Sequence, residues 1–197
     1  MRSVGVLALQ GDFQEHIDML QRLDVVGRAV RLPRDLEGVD SLIIPGGEST
    51  TIGKIADAYD LTEAIRAMAA AGRPVWGTCA GMIVMAKSIT HSARGGQPVL
   101  GIMDIIVQRN AFGRQVDSFE ELVPVSALGG MPFPCVFIRA PKIEAVGPGV
   151  QVLATLVDTG EAIAAQQGRL LVTSFHPELT DDTRMHQYFL NLGGKQR

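Results

Sequence analysis

Cys79 is one of only two cysteines in the chain, and it stands in Gly77-Thr78-Cys79-Ala80-Gly81, a turn that offers a side chain little to pack against. A thiol in such a place is suited to nucleophilic attack. "RPVWGTC" reads as a strand and "AGMIVMAKSI" as the helix that follows, so the cysteine falls on a strand-to-helix corner. Gly-x-Cys-x-Gly at such a corner is the thiol form of the nucleophile elbow. Side chains at positions 77 and 81 would collide with the neighbouring strand and helix. The helix N-terminus beside the sulfur favours its thiolate form. The plain alternative is a small buried cysteine in a glycine-rich turn.

A cysteine nucleophile needs a base within reach. His16 and His186 fall inside helical patterns and read as solvated helix-face residues, while His91 lies in the polar stretch "THSARGGQP". His176 differs, because it directly follows a buried strand in "LLVTSFHPEL". Pro177 biases it toward an extended backbone. Glu178, two residues on, can turn back and hold the imidazole. Cys79, His176 and Glu178 thereby take the roles of nucleophile, base and orienter, against the plain alternative of an incidental proline turn.

"PGGEST", residues 45–50, also ends a strand and opens a helix. There the amide of Gly47 can meet that of Ala80 over a developing oxyanion. The same stretch is not a phosphate loop. Glu48 replaces a required glycine, and Ile55 follows Lys54 where serine or threonine is needed.

These groups can act together only if the elements around them bring them to one place. "VGVLAL", "GRAVRL", "SLIIPGG" and "RPVWGTC" alternate with the helical patterns "DFQEHIDMLQRL", a helix capped by Ser49, Thr50 or Thr51, and "LTEAIRAMAAAG". That rhythm predicts a parallel sheet with right-handed crossovers. The second half reads as strands, "GIMDIIVQR", "SFEELVPVSAL", "CVFIRAP", "VQVLATLVD" and "EAIAAQQGRLLVTSF". A closing helix, "DDTRMHQYFLNLG", is capped by Asp181 or Asp182. The expectation is one α/β domain over residues 1–197, with a mixed, antiparallel extension on a mostly parallel core. The triad members then end separate strands, where open α/β sheets place their sites.

The totals agree. With 197 residues, 46% hydrophobic and 20% charged, the chain can build one well-cored domain. A net charge of −3 gives no basic field for nucleic acid. No apolar run is long enough for a membrane span, and the start reads as a first strand rather than a leader. The two cysteines have no metal-type spacing, so a reduced cytoplasmic setting with no metal is expected.

Gly-x-Cys-x-Gly, the upstream Pro-Gly-Gly turn and the late His-Pro-Glu together resemble the class I, or triad, glutamine amidotransferases. "LALQGDFQEH", "IIPGGEST", "GTCAGMI", "LGIMDI", "RNAFGRQVDSFE", "FIRAP" and "SFHPEL" are similar, more narrowly, to the glutaminase subunits of pyridoxal 5′-phosphate synthases. The resemblance implies a flavodoxin-like fold and no cofactor. It implies hydrolysis of L-glutamine to glutamate and ammonia, with ammonia passed to a separate (β/α)8-barrel synthase subunit in a hetero-oligomer. It also implies that Gly47, Glu48, Ser49, Arg109, Ile138 and Arg139 contact glutamine. Glu48 would suit the ammonium and an arginine the carboxylate. Wasteful turnover is avoided if the lone subunit is nearly inactive, and a peptide flip at the Pro-Gly-Gly turn is a physical switch that glycine permits. Three other readings remain open: a triad glutaminase serving another synthase, such as the imidazole-glycerol-phosphate one; a non-enzymatic binding or redox module; and a cysteine hydrolase acting on γ-glutamyl peptides.

Overall fold

Four strands open the parallel part of the sheet, three of them apolar runs buried along their length and the second an edge strand whose residues alternate in exposure. They are β1 (Ser3–Leu7), β2 (Val26–Val30), β3 (Ser41–Ile44) and β4 (Val75–Thr78). Between them run α1 (Phe13–Gln21), α2 (Ser49–Ala58) and α3 (Leu61–Ala70), and α4 (Ala80–Met85) follows β4. Then come β5 (Ala86–Thr90), β6 (Met103–Gln108), β7 (Ser118–Val123), β8 (Phe133–Ile138), β9 (Lys142–Val146), β10 (Gln151–Thr155), β11 (Ala162–Gln167) and β12 (Leu170–Thr173). α5 (Arg184–Leu192) closes the chain. The structure, a computed structural model, describes residues 2–90, 96–109, 111 and 118–194. His91 and most of "NAFGRQVD" lie outside the described residues.

The main sheet runs β2-β1-β3-β4-β12-β11-β9-β6-β5, with β10 paired to β11, and β7 and β8 form a separate antiparallel pair. β2, β1, β3, β4 and β12 are mutually parallel, while β11 and β9 run antiparallel to their neighbours. This is the mostly parallel core with an antiparallel extension that the element rhythm predicts. Alternate strand residues feed two cores. Leu42, Ile44 and Val75 pack with α2, α3 and α4 on one face. Ile43, Trp76 and Leu171 pack with Leu20 of α1 and Phe189 of α5 on the other.

Register decides where the chemistry sits. Ile44 of β3 lies beside Gly77 of β4, and Gly77 beside Val172 of β12. Three strands therefore end level, and the Pro-Gly-Gly turn, the elbow and the His-Pro-Glu segment leave the sheet side by side.

Several local expectations are corrected. The helix after the elbow stops at Met85, six residues long, and the chain continues as β5. Its last carbonyls are taken by the returning chain, Val84 O by Leu100 N at 2.7 Å and Met85 O by Ile102 N at 3.1 Å. "EAIAAQQGRLLVTSF" is a hairpin rather than one strand, turning at Gly168 with φ of 58°. Glu48 caps α2, its carboxylate accepting from Thr50 N and Thr51 N, in place of Ser49, Thr50 or Thr51. Thr183 holds the cap position of α5, and Asp182 Oδ1 accepts from Arg184 N at 3.0 Å.

Phe175 connects β12 to the site. It is fully buried between Phe133, at 5.7 Å between ring centroids, and Phe137, at 6.0 Å. Phe175→Ala is expected to cost about 3–5 kcal/mol, read from urea denaturation, and Phe175→Leu markedly less.

Candidate active site

Cys79 has φ of 48° and ψ of −105°, a left-handed conformation that costs a non-glycine residue about 1–3 kcal/mol. Neighbouring backbone holds it there. Cys79 N donates to Thr173 O at 2.8 Å, and Cys79 O accepts from Met82 N at 3.1 Å. The flanking glycines are required by close approach. A Cβ on Gly77 would lie 2.5 Å from the Gly81 carbonyl, and one on Gly81 would overlap the Ile44 carbonyl oxygen. Cys79 is 7% exposed, and its sulfur lies 3.8 Å from Ile138 O.

His176 is set by backbone and side chain together. Its N–H donates to Val136 O at 2.8 Å, and its Nδ1 lies 2.7 Å from Glu178 Oε1. Nε2 is left for the sulfur. Gly46 makes room for the ring, since a Cβ there would overlap Cε1 of His176. Burial disfavours the imidazolium, but hydrogen bonds to Cys79 and Glu178, together with their charges, outweigh it and push the pKa up to about 10. Glu178 is 6% exposed. Burial pushes its carboxyl upward, while the bond and charge of His176 draw it back.

Cys79 and His176 line one cavity of about 420 Å³, with Gly47, Glu48, Ser49, Ala80, Arg109, Ile138 and Arg139 around them. Of the candidate residues only Glu178 is absent from the wall, because it stands behind His176. Glu48 is more committed than the sequence implies. Besides Thr50 N and Thr51 N, it accepts from Thr51 Oγ1 at 2.7 Å and from Arg109 Nη2 at 3.2 Å. Burial opposes its charge, but the Thr51 and Thr50 hydrogen bonds hold its pKa down at about 2. Arg109 Nη1 also donates to Gln97 Oε1 at 2.6 Å and Thr50 Oγ1 at 3.2 Å. Ser49 is buried, its hydroxyl 3.2 Å from Gln97 Oε1.

Sequence reasoning missed the strip after β1. Gln10, Gly11 and Asp12 line the cavity. Gln10 Oε1 accepts from Glu48 N at 2.6 Å, and Asp12 Oδ2 lies 3.4 Å from His176 Nδ1. The signal was positional, since "LQGD" ends a strand level with the others. Asp12, His176 and Glu178 offer three ligand atoms within 4.8 Å of one another, a group that could hold a metal ion. A metal there would compete for the nitrogen that binds Glu178.

The expectation for His16 and His186 is overturned. Both are fully buried, packed edge-on against Trp76 rather than solvated. The spacing carried a hint: His16 lies three residues after Phe13 and four before Leu20, within the apolar stripe.

Comparison with known proteins follows the same lines. The sequence pattern of the SNO glutamine amidotransferase family matches residues 6–193. A protein of Herpetosiphon aurantiacus named pyridoxal 5′-phosphate synthase subunit PdxT is 60% identical over 190 residues, covering 96% of this chain and 100% of that protein. Its namesake from Chloroflexus aurantiacus is 54% identical with the same coverage. A crystal structure of a glutamine amidotransferase superposes with a TM-score of 0.91 at 51% identity, covering 97% of this chain and 98% of that one. A match of this extent, in sequence and in fold, places the chain in the SNO glutamine amidotransferase family.

Proposed function

We propose that the chain is the glutaminase subunit of a pyridoxal 5′-phosphate synthase, with Cys79 as nucleophile, His176 as general base and acid, and Glu178 as its orienter. One observation carries the reading: the 2.7 Å His176–Glu178 bond stands directly behind a cavity into which a strained elbow presents a thiol. The names of the full-length relatives, pyridoxal 5′-phosphate synthase subunits, support the assembly and its product.

The chemistry follows from the geometry. The Cys79 thiolate attacks the side-chain amide carbon of glutamine, and the carbonyl π electrons move to oxygen. The amides of Gly47 and Ala80 receive that oxyanion; Ala80 opens α4, whose first N–H groups have no partner within the helix. The His176 imidazolium gives its Nε2 proton to the amide nitrogen, the C–N bond breaks and ammonia leaves. The neutral imidazole then takes a proton from water, which attacks the thioester. Glutamate departs, and thiolate and imidazolium are restored. Ammonia passes to a barrel-fold synthase subunit docked in a hetero-oligomer, working in the cytoplasm.

Glutamine itself is held by the turn at Gly47 to Ser49 and by Arg109, Ile138 and Arg139. Glu48 and Arg109 are already joined at 3.2 Å, so each must share its contacts if it is to meet the substrate's ammonium or carboxylate. The Glu48 N–H is likewise spent on Gln10 Oε1 at 2.6 Å. That bond holds the Gly47–Glu48 peptide in place beside the Gly47 donor, and docking of the synthase subunit is the event that releases it and aligns the Gly47 N–H with the oxyanion. Gly47, with φ of 149°, permits the flip.

Two outcomes test this. Glutamate release from glutamine should be on the order of 10²-fold faster with the synthase subunit than without, the worth of one oxyanion donor. Cys79→Ala should abolish it while size-exclusion chromatography still shows the complex. Undiminished turnover by the lone chain would remove the coupling, and turnover by the alanine variant would remove the nucleophile.

The pH profile is a third. With the imidazolium pKa at about 10, the general acid stays protonated through neutral pH, and kcat/KM should fall only as pH rises through that region. Glu178→Gln takes away a hydrogen-bonded negative charge, so the imidazolium deprotonates earlier. Its basic limb should move down by more than about one pH unit, with kcat lower by roughly 10²–10⁴-fold.

A further inference from the structure

Glu178 has two oxygens, and the triad uses one. Oε1 meets His176, whereas Oε2 is buried and has no well-aligned hydrogen bond among the described residues. A buried carboxylate oxygen without a donor is costly, so a side-chain nitrogen within reach of it matters. It belongs to His16, whose Nε2 lies 3.3 Å from Oε2. The same Nε2 lies 3.2 Å from Thr78 Oγ1, on the residue preceding the nucleophile. On its other side, His16 Nδ1 lies 2.9 Å from His186 Nε2. Trp76 packs edge-on to both rings, at 5.7 Å from His16 and 4.9 Å from His186, and donates its own Nε1–H to Thr173 Oγ1.

The protons in this chain can be assigned. Burial, foremost, and the neighbouring His186 and His176 hold His16 well below its ordinary pKa; burial drives His186 to about 3. Both rings are therefore neutral, with one N–H each. If His16 carried its hydrogen on Nδ1, its Nε2 lone pair would face the Glu178 carboxylate, and His186 would have to accept through Nε2. The hydrogen of His186 would then sit on Nδ1, which is buried without a partner. The opposite arrangement has neither fault. His186 Nε2–H donates to His16 Nδ1, and His16 Nε2–H is shared by Thr78 Oγ1 and Glu178 Oε2. The orphan is then only a lone pair.

Resting on the glutaminase reading, we infer that His16 is a positioning residue for the triad. Backed by His186, it donates from Nε2 to the second oxygen of Glu178 and ties that carboxylate to the elbow through Thr78. The orienter is thus gripped from both sides, by His176 in front and His16 behind. His16 touches neither substrate nor sulfur; it acts by fixing the charge and rotation of Glu178.

The test has two arms. Nitrogen-15 NMR of histidine-labelled wild-type protein should find His16 and His186 both neutral and both carrying hydrogen on Nε2 at pH 7. Hydrogen on Nδ1 of His16, or a charged His16, overturns the relay without any variant having to fold. Glutaminase kinetics in the complex with the synthase subunit form the second arm. His16→Leu should lower kcat by about 10–100-fold, the worth of a hydrogen bond to a charged group, with KM for glutamine changed less than about threefold. His16→Gln, whose Nε2 occupies the place of the imidazole Nε2, should recover most of the rate. His16→Asn, which offers a donor only at the Nδ1 place, should not. An unimpaired leucine variant, a loss confined to KM, or equal rates for the glutamine and asparagine variants would each discard the inference. Absence of glutamate formation by wild type in the complex would instead discard the glutaminase reading, and the tautomers would still be judged by NMR.

Discussion

A carboxylate almost wholly removed from water must be paired, or it takes up a proton and loses its charge. Glu178 is in that position, and the rest of the site is built around keeping it useful. Its bond to His176 sets the ring so that Nδ1 faces the carboxylate and Nε2 the thiol. The same bond offsets the burial that would otherwise discharge the imidazolium. Remove the pairing and three things fail together: the tautomer, the orientation and the charge.

The pairing is local, two residues apart in sequence, but its usefulness is not. Cys79 and His176 follow β4 and β12, nearly a hundred positions apart, and they meet because those strands are parallel neighbours in register. Cys79 N donates to Thr173 O, so the strained elbow is pinned to the strand that leads to His176. Strain at Cys79 and reach of the histidine are thus one geometric fact. The glycines around them serve close approach: Gly81 against β3, Gly46 against the histidine ring.

Much of this was legible in the sequence because the governing physics is local there. Gly-x-Cys-x-Gly announces a tight corner, a proline after a histidine announces extended backbone, and apolar runs between helical periods announce a parallel sheet. What was illegible depended on partners from elsewhere. Helix α4 ends early because Leu100 and Ile102, returning from a loop, take carbonyls a longer helix would have used. His16 and His186 were read as surface residues because histidine is polar, although His16 shares the apolar stripe of its helix. Their burial makes sense only once two helices and Trp76 are seen to enclose them on one face of the sheet. Gln10 and Asp12 escaped notice because no motif marks a strand end whose neighbours are unknown.

Three described carboxylates lie at this cavity or directly behind its wall: Glu178, Glu48 and Asp12. Environment separates the three. Glu48 is half exposed and satisfied by Thr50, Thr51 and Arg109; the hydrogen bonds from Thr51 and Thr50 hold its pKa at about 2 and make it a poor proton acceptor at neutral pH. It shapes the turn. Asp12 stands 3.4 Å from the His176 nitrogen that Glu178 already holds at 2.7 Å, so it adds negative potential without displacing the closer partner. Only Glu178 combines burial, short contact and a second oxygen facing another imidazole. Three acids of similar intrinsic strength acquire three different duties, and what distinguishes them is how many donors each meets and how much water is left around it.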